Sequence, residues 1–209
     1  MYIVSVFTDW LRNQSLLETS GVITGILCVY LAAKNNIWNW PIAIISVLIY
    51  ILIFFEAKLY ADTGLQVYFL AMNLYGWYFW SRKDVHKKVP VTSISTQEII
   101  LSFAGIVVFT AGLGLFLYKG TDASFPFTDS FCTACSLVAQ VFLARKVLEN
   151  WLIWIFVDVI YVGLYISKNL HLTAGMYALY IIIAVIGYHN WRQEYKRSLI
   201  LSAEQNKIA

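Results

Sequence analysis

The chain has 209 residues, of which 60% are hydrophobic and 13% are charged, with a mean hydropathy of +0.67 and a formal net charge of +3. A soluble domain has about 25% charged residues and about half apolar residues. The composition therefore indicates a polytopic membrane protein. The basic residues lie in short loops between apolar runs, so the net charge does not indicate nucleic-acid binding.

Seven apolar runs predict seven transmembrane helices, because a helix needs about 20 apolar residues to cross the hydrocarbon core. The runs cover residues 18–34, 39–57, 63–81, 98–118, 128–145, 150–167 and 172–191. Before them, residues 1–17 are predicted to form an amphipathic N-terminal segment at the membrane interface. After them, residues 192–209 are predicted to form a C-terminal tail. The fourth run has little polarity, and we expect it to be a linker helix without a site.

The sequence contains an internal repeat, because a shift of 111 residues aligns its two halves without a gap. Rare residue types coincide: Asn39-Trp40 with Asn150-Trp151, Tyr50 with Tyr161, Gly76 with Gly187, and Trp80 with Trp191. Each repeat, 18–81 and 128–191, contains three spans. Because each repeat has an odd number of spans and one connecting helix follows the first repeat, the second repeat has the same membrane orientation as the first. The predicted fold is therefore an all-α membrane protein of seven transmembrane helices, with 3+1+3 parallel repeats.

The basic residues predict the orientation in the membrane. The side that holds the N-terminus has four Lys and Arg residues, and the opposite side has eleven. Since cytoplasmic loops are enriched in Lys and Arg, we expect the C-terminus in the cytoplasm and the N-terminus outside.

Two spans carry polar and aromatic residues that point to a binding site. In the sixth span, Trp151, Trp154, Asp158 and Tyr161 recur at spacings of three and four residues, and so share one helical face. In the third span, Gln66, Asn73 and Trp77 follow one face, and the repeat aligns Gln66 with Tyr177. The candidate substrate-binding residues are Gln66, Asn73, Trp77, Trp151, Trp154, Asp158, Tyr161 and Tyr177.

Asp158 is the most informative of these residues, because a buried carboxylate in a membrane is costly without a partner. No Lys, Arg or His lies at comparable depth in another span. A cationic ligand would supply the missing charge, and Trp and Tyr rings attract flat cations. The alternative is that these polar groups only join helices, each hydrogen bond contributing roughly 0.6 kcal/mol. Trp38, Trp80 and Trp191 are interpreted as residues of the aromatic belts at the membrane interface.

Enzyme functions are not supported by the sequence. The three histidines make no metal-binding spacing, and there is no nucleophile elbow or Walker loop. We therefore expect no metal, no cofactor and no ATPase. The expected partners are a small cationic solute and membrane lipid, and a homo-oligomer is compatible with the sequence.

The chain resembles the Pnu vitamin transporters over about residues 18–195. The resemblance rests on Trp38 to Trp80, on "FPFTDS" (125–130) and on "RKVLENWLIWIFVDVIYVGLY" (145–165). It implies a bacterial inner-membrane protein with an architecture like that of the SWEET sugar transporters. It also implies facilitated diffusion of nicotinamide riboside, a cationic nucleoside, for NAD synthesis. A cytoplasmic kinase would then trap the solute by phosphorylation.

One residue departs from the pattern, since nicotinamide riboside transporters are expected to have Asn where this chain has Asp158. An acid would also suit thiamine, a cation carried by relatives, so thiamine uptake is the alternative. Two more hypotheses are compatible with a buried acid: proton symport through Asp158, and a receptor that binds its ligand without transport.

Overall fold

The computed structural model describes residues 16–56, 58, 60–82, 89–121 and 125–208. These residues form seven helices: α1 (Leu16–Ala33), α2 (Asn39–Glu56), α3 (Tyr60–Ser81), α4 (Thr96–Gly120), α5 (Pro126–Ala144), α6 (Asn150–Ser167) and α7 (His171–Ile208). No strand occurs in these ranges, where an isolated bridge joins Thr92 to Val147. The prediction of an all-α chain with seven helices is confirmed. Most of the predicted N-terminal segment lies outside the described residues.

Four helices, α2, α4, α5 and α6, are long and apolar enough to cross a membrane, judged on the described residues by length and composition. Residues Thr19–Ala33 of α1 are also apolar but form a shorter stretch. Helix α3 has a more polar composition, and α7 runs on past residue 191 to Ile208. The segment predicted as a C-terminal tail is therefore largely a continuation of α7.

Six of the helices form a closed ring, and the fourth lies outside it. Within each repeat the consecutive helices pack together, α1–α2–α3 and α5–α6–α7. The repeats join where α3 packs on α5 and α7 packs on α1. These two contacts are equivalent under the repeat, so the ring has approximate two-fold symmetry. Helix α4 packs on α5, and its capping box between Ser95 and Glu98 fixes where it begins.

The turns between helices obey the same repeat. Asn35 and Lys146, 111 residues apart, have positive φ values of 51° and 58°, and Lys58 and Asn169 have 60° and 57°. A residue in the left-handed region is a common way to end a helix. The repeat therefore extends to the backbone conformation of single residues, which supports the parallel 3+1+3 arrangement.

Four tryptophans pack together at the end of the ring that holds the 34–38 and 145–149 turns. This tryptophan cluster consists of Trp40, Trp80, Trp151 and Trp191. Trp40 meets Trp80 edge-on at 5.2 Å between ring centroids, and Trp151 meets Trp191 edge-on at 5.5 Å. Trp80 and Trp191 lie 5.7 Å apart, so they join the two pairs across the repeat boundary.

The cluster also connects the two repeats by hydrogen bonds. The Trp80 Nε1–H donates to the Ala144 carbonyl (3.1 Å), and the Trp191 Nε1–H donates to the Ala32 carbonyl (3.0 Å). Trp80 is 6% exposed and Trp191 is fully buried. The interpretation of these two tryptophans as interfacial belt residues is therefore wrong, because their indoles are core groups with satisfied N–H donors. Trp38, at 63% exposure, is consistent with a belt position.

Glycines make room for the cluster at matching positions. A Cβ atom on Gly76 would lie 2.3 Å from the Trp40 ring, and one on Gly187 would lie 2.7 Å from the Trp151 ring. Only a residue without a side chain fits such close approach of helix and ring. The alignment of these two glycines in the sequence thus reflects a shared packing requirement.

Candidate functional site

A cavity of about 400 Å³ lies inside the six-helix ring, and residues from all six helices line it. Cavities of about 300–1,000 Å³ are typical of small-molecule sites. Ten pairs of lining residues are related by the 111-residue shift, including Trp40/Trp151, Val47/Asp158, Tyr50/Tyr161, Gln66/Tyr177, Phe69/Tyr180 and Asn73/Ala184. The cavity therefore lies on the approximate two-fold axis between the repeats.

The chemistry of the lining does not follow this symmetry. The side formed by α3, α5 and α6 carries Gln66, Asn73, Gln140 and Asp158. On the opposite side the residues that match the last three are Ala184, Val29 and Val47, which are apolar. A symmetric scaffold thus carries a polar wall on one side, and at three of the four matching positions the other side is apolar. This difference would fix the orientation of a bound molecule.

Asp158 lies on the polar wall and is 4% exposed. Its carboxylate makes no hydrogen bond or ion pair to another described residue, and no Lys or Arg lines the cavity. Asp158 lies on the face of α6 that is turned towards the cavity. Trp151, Trp154 and Tyr161, one or two helical turns away, lie on the same face. The Asp158 side chain therefore lies towards the cavity between the helices.

Aromatic rings surround the acid. Trp151, Trp154 and Tyr161 of α6 line the cavity together with Tyr177 of α7. Tyr161 and Tyr177 lie 4.9 Å apart between ring centroids, and Tyr165 stacks on Tyr177 at 5.3 Å with an interplanar angle of 15°. Such rings offer π faces to a planar cation, an attraction of roughly 0.5 to 2 kcal/mol per contact.

The amide groups of the polar wall are partly paired with each other. The Gln140 Nε2–H donates to the Asn73 Oδ1 at 2.9 Å, joining α5 to α3. Asn73 and Gln140 are 4% and 7% exposed. This contact is a hydrogen bond of the kind that joins membrane helices. Both side chains nevertheless line the cavity, so they serve packing and also face the site.

The tryptophan cluster closes one end of this cavity. Trp40 and Trp151 line the cavity, whereas Trp80 lines a second cavity of about 440 Å³ beside the 34–38 turn and Lys146. The indole N–H groups of Trp40 and Trp151 are buried without a hydrogen-bond partner. The cluster therefore separates the inner cavity from the end of the ring where the Lys-bearing turns lie.

Seven of the eight candidate residues identified from the sequence line the cavity, and Trp77 does not. The buried stripe of α3 runs through Asn73, Gly76 and Trp80. At about 100° per residue, Trp77 lies about 70° away from the centre of that stripe. Its ring is 41% exposed on the outer surface. The inclusion of Trp77 in the site is therefore corrected.

Sequence reasoning also missed several lining residues. Gln140 is a mid-span amide in the fifth run, which is the same signal that identified Gln66 and Asn73. Trp40 and Tyr50 could have been found from their repeat partners Trp151 and Tyr161. Other missed residues, including Ser46, Ser136 and Tyr180, carried no distinguishing signal in the sequence.

Comparison with known proteins agrees with this arrangement. The family model described as "Nicotinamide mononucleotide transporter" matches residues 15–193. The chain is 30% identical to the nicotinamide riboside transporter PnuC of Escherichia coli, with 86% of each chain covered. It is 27% identical to the riboflavin/roseoflavin transporter RibM of Streptomyces davaonensis, covering 88% of this chain and 92% of that protein.

A solved structure shows the same fold. The crystal structure of the vitamin B3 transporter PnuC matches with a TM-score of 0.70 and 26% sequence identity, covering 93% of this chain and 88% of that chain. The resemblance noted in the sequence is thus confirmed over nearly the whole length. The chain belongs to the nicotinamide mononucleotide transporter family, a family of multi-pass membrane transporters that includes the PnuC proteins.

Proposed function

We propose that this protein transports nicotinamide riboside into the bacterial cell by facilitated diffusion. The observation that carries the proposal is Asp158, a buried acid without a counter-charge in a cavity lined by aromatic rings. A pyridinium nucleoside supplies the missing positive charge and a flat ring. The similarity to the nicotinamide riboside transporter PnuC supports the same solute.

The residues that line the cavity have different roles in binding the solute. Trp151, Trp154 and Tyr161 stack on the pyridinium ring, and Asp158 offsets its charge. Gln66 and Asn73 hydrogen-bond the polar groups of the solute, since an amide can both donate and accept. Because Asn73, Gln140 and Asp158 have apolar counterparts on the other side of the cavity, the solute binds in one orientation.

Transport follows from the two-repeat construction. One three-helix bundle rocks against the other, and the solute site on the axis opens alternately to each side. In the structure the tryptophan cluster separates the cavity from the Lys-bearing turns. With the orientation expected from the basic residues, this end faces the cytoplasm of a bacterial inner-membrane protein. On this proposal, the cluster closes the cavity towards the cytoplasm.

The solute moves down its own gradient, and phosphorylation by a cytoplasmic kinase maintains that gradient by trapping the product for NAD synthesis. The anionic phosphate added by the kinase would oppose Asp158 rather than pair with it. Efflux of the trapped product through the same cavity is thereby disfavoured.

Uptake by proteoliposomes that contain the purified protein tests the proposal. Labelled nicotinamide riboside is expected to accumulate until its concentration is equal on both sides, and faster than in empty liposomes. Absence of flux, or flux that requires a pH gradient, contradicts facilitated diffusion. A requirement for a pH gradient would support proton symport through Asp158, and binding without counterflow would support a receptor.

Thiamine is the second candidate solute, and Asp158 is the observation that favours it, because an acid also suits a thiazolium cation. Parallel uptake of labelled thiamine in the same liposomes separates the two vitamins. Riboflavin, the solute in the name of RibM, is uncharged and offers no partner for Asp158. We therefore expect it to be transported poorly.

A further inference from the structure

The hydrogen bond between Gln140 and Asn73 leaves two polar groups unused. Gln140 has donated through Nε2 to the Asn73 Oδ1, which leaves the Asn73 Nδ2 amino group and the Gln140 Oε1 carbonyl. Neither of these groups has a hydrogen-bond partner among the described residues, and neither is a fully buried atom. Since both side chains line the cavity, they offer the solute one donor and one acceptor.

This result does not depend on which amide donates. If both amides were turned over, Asn73 would donate to Gln140, and the remaining groups would again be one donor and one acceptor. Two amides joined by a single hydrogen bond always present this combination. The pair therefore has a fixed preference for a solute group that carries an acceptor beside a donor.

We propose that Asn73 and Gln140 together form a subsite for a planar group with adjacent acceptor and donor, and that Gln140 is a specificity-determining residue of the transporter. The proposal rests on the function proposed above and adds the part of the solute that is recognised. A primary carboxamide, as in a nicotinamide nucleoside, presents this pattern. The aminopyrimidine of thiamine presents it as well, through a ring nitrogen beside an amino group.

The repeat shows why the subsite occurs once. The residues that match Asn73 and Gln140 are Ala184 and Val29, and both line the cavity. A carboxamide placed on that side would lose its hydrogen bonds to water without replacement, a cost that disfavours binding. Asp158 lies on the same polar wall as the amide pair. The charge and the carboxamide of the solute are thus bound from one side.

The test compares nicotinamide riboside with N-ribosylpyridinium, which keeps the cation and the ribose but lacks the carboxamide. Gln140→Met is expected to lower kcat/KM for nicotinamide riboside about tenfold, as for loss of one or two hydrogen bonds. For N-ribosylpyridinium the change should stay within about twofold. A residue with only a structural role would reduce the transport of both solutes equally, and that outcome overturns the proposal.

Val67→Ala is the control, because this side chain is 53% exposed and does not line the cavity, so it should not change the ratio between the two solutes. A measurement on the unmodified protein avoids dependence on the folding of the Gln140 variant. There, the N,N-dimethyl carboxamide of the nucleoside should be transported about tenfold less efficiently than the primary carboxamide. Equal transport of the two also overturns the proposal.

A thiamine arm distinguishes the two sources of the pattern, by comparing thiamine with the analogue in which hydrogen replaces the amino group. If the protein distinguishes thiamine from this analogue but does not distinguish nicotinamide riboside from N-ribosylpyridinium, the subsite binds the aminopyrimidine. If neither vitamin is transported, the proposed function fails. If either vitamin is transported but the analogues are not discriminated, the transporter stands and the amide subsite fails.

Discussion

The substitution Asp158→Asn separates the charge of the acid from its shape. The side chain keeps its size and a carbonyl oxygen, but the carboxylate is replaced by a neutral amide. In the structure this carboxylate is 4% exposed, and it lacks an ion-pair partner among the described residues. We therefore expect the electrostatic contribution of Asp158 to transport to come from its interaction with the solute.

The size of the effect follows from Coulomb's law. A unit cation about 5 Å from the carboxylate, at an effective dielectric constant of about 20, gains roughly 3 kcal/mol. Part of this gain is offset, because a carboxylate loses more hydration free energy than an amide does when a solute displaces water from the cavity. We expect Asp158→Asn to lower kcat/KM for nicotinamide riboside by about 10- to 100-fold, which corresponds to about 1.4 to 2.7 kcal/mol.

The assay is initial-rate uptake into proteoliposomes with two solutes. Nicotinamide riboside is a cation, whereas dihydronicotinamide riboside has the same ribose and carboxamide on an uncharged ring. Asp158→Asn should impair uptake of the cation alone. Asp62→Asn is the control, because Asp62 is exposed at the start of α3 and does not line the cavity. Equal loss for both solutes would show that Asp158 acts through packing and would refute the electrostatic argument.

Three further changes test the packing of the ring. Gly187→Ala should destabilise the protein by about 1–3 kcal/mol because its Cβ would overlap the Trp151 ring. Gly163→Ala is the control: this position has open space around it, so the change should be neutral or slightly stabilising. Thermal unfolding in detergent measures both effects. Trp80→Phe removes the hydrogen bond to the Ala144 carbonyl and should cost about 1 kcal/mol. It should also speed the labelling of the cavity residue Cys28 by a thiol reagent added on the side of the 34–38 and 145–149 turns, and unchanged labelling would contradict the closure of this end by the cluster. Trp77→Ala should leave uptake kinetics within about twofold, since this ring lies outside the cavity, and a loss comparable to that of Asp158→Asn would contradict its placement.

The fold was predictable because membrane insertion imposes long apolar runs, which remain visible in a single sequence. The 111-residue shift also indicates where the site lies, since a cavity on the axis between the repeats must be lined by matching positions. Trp40 and Trp151 are examples. Asp158 was identifiable because a lone acid in an apolar span has few physical explanations.

The remaining features depend on distances that a sequence does not contain. A tryptophan near a span end looks the same in the sequence whether it meets lipid headgroups or another repeat, so the sequence alone places Trp80 and Trp191 in the wrong environment. Trp77 differs from Asn73 by a modest rotation around α3, and only the neighbouring helices decide which one faces inward. The contact between Gln140 and Asn73 joins residues 67 positions apart, and no local pattern indicates it.

The duplicated backbone could hold the solute in either of two poses related by a half-turn. The side chains on the two sides of the cavity differ, so they permit only one of these poses. The side chains at matched positions can be exchanged, such as Val47 with Asp158, Val29 with Gln140, and Ala184 with Asn73. This exchange would place the polar groups on the other side of the same backbone. A transporter rebuilt in this way should bind and carry the same vitamin in the pose that is rotated by a half-turn. Its selectivity would thus depend on the polar groups themselves, whichever repeat carries them, and would be separable from the helices that move.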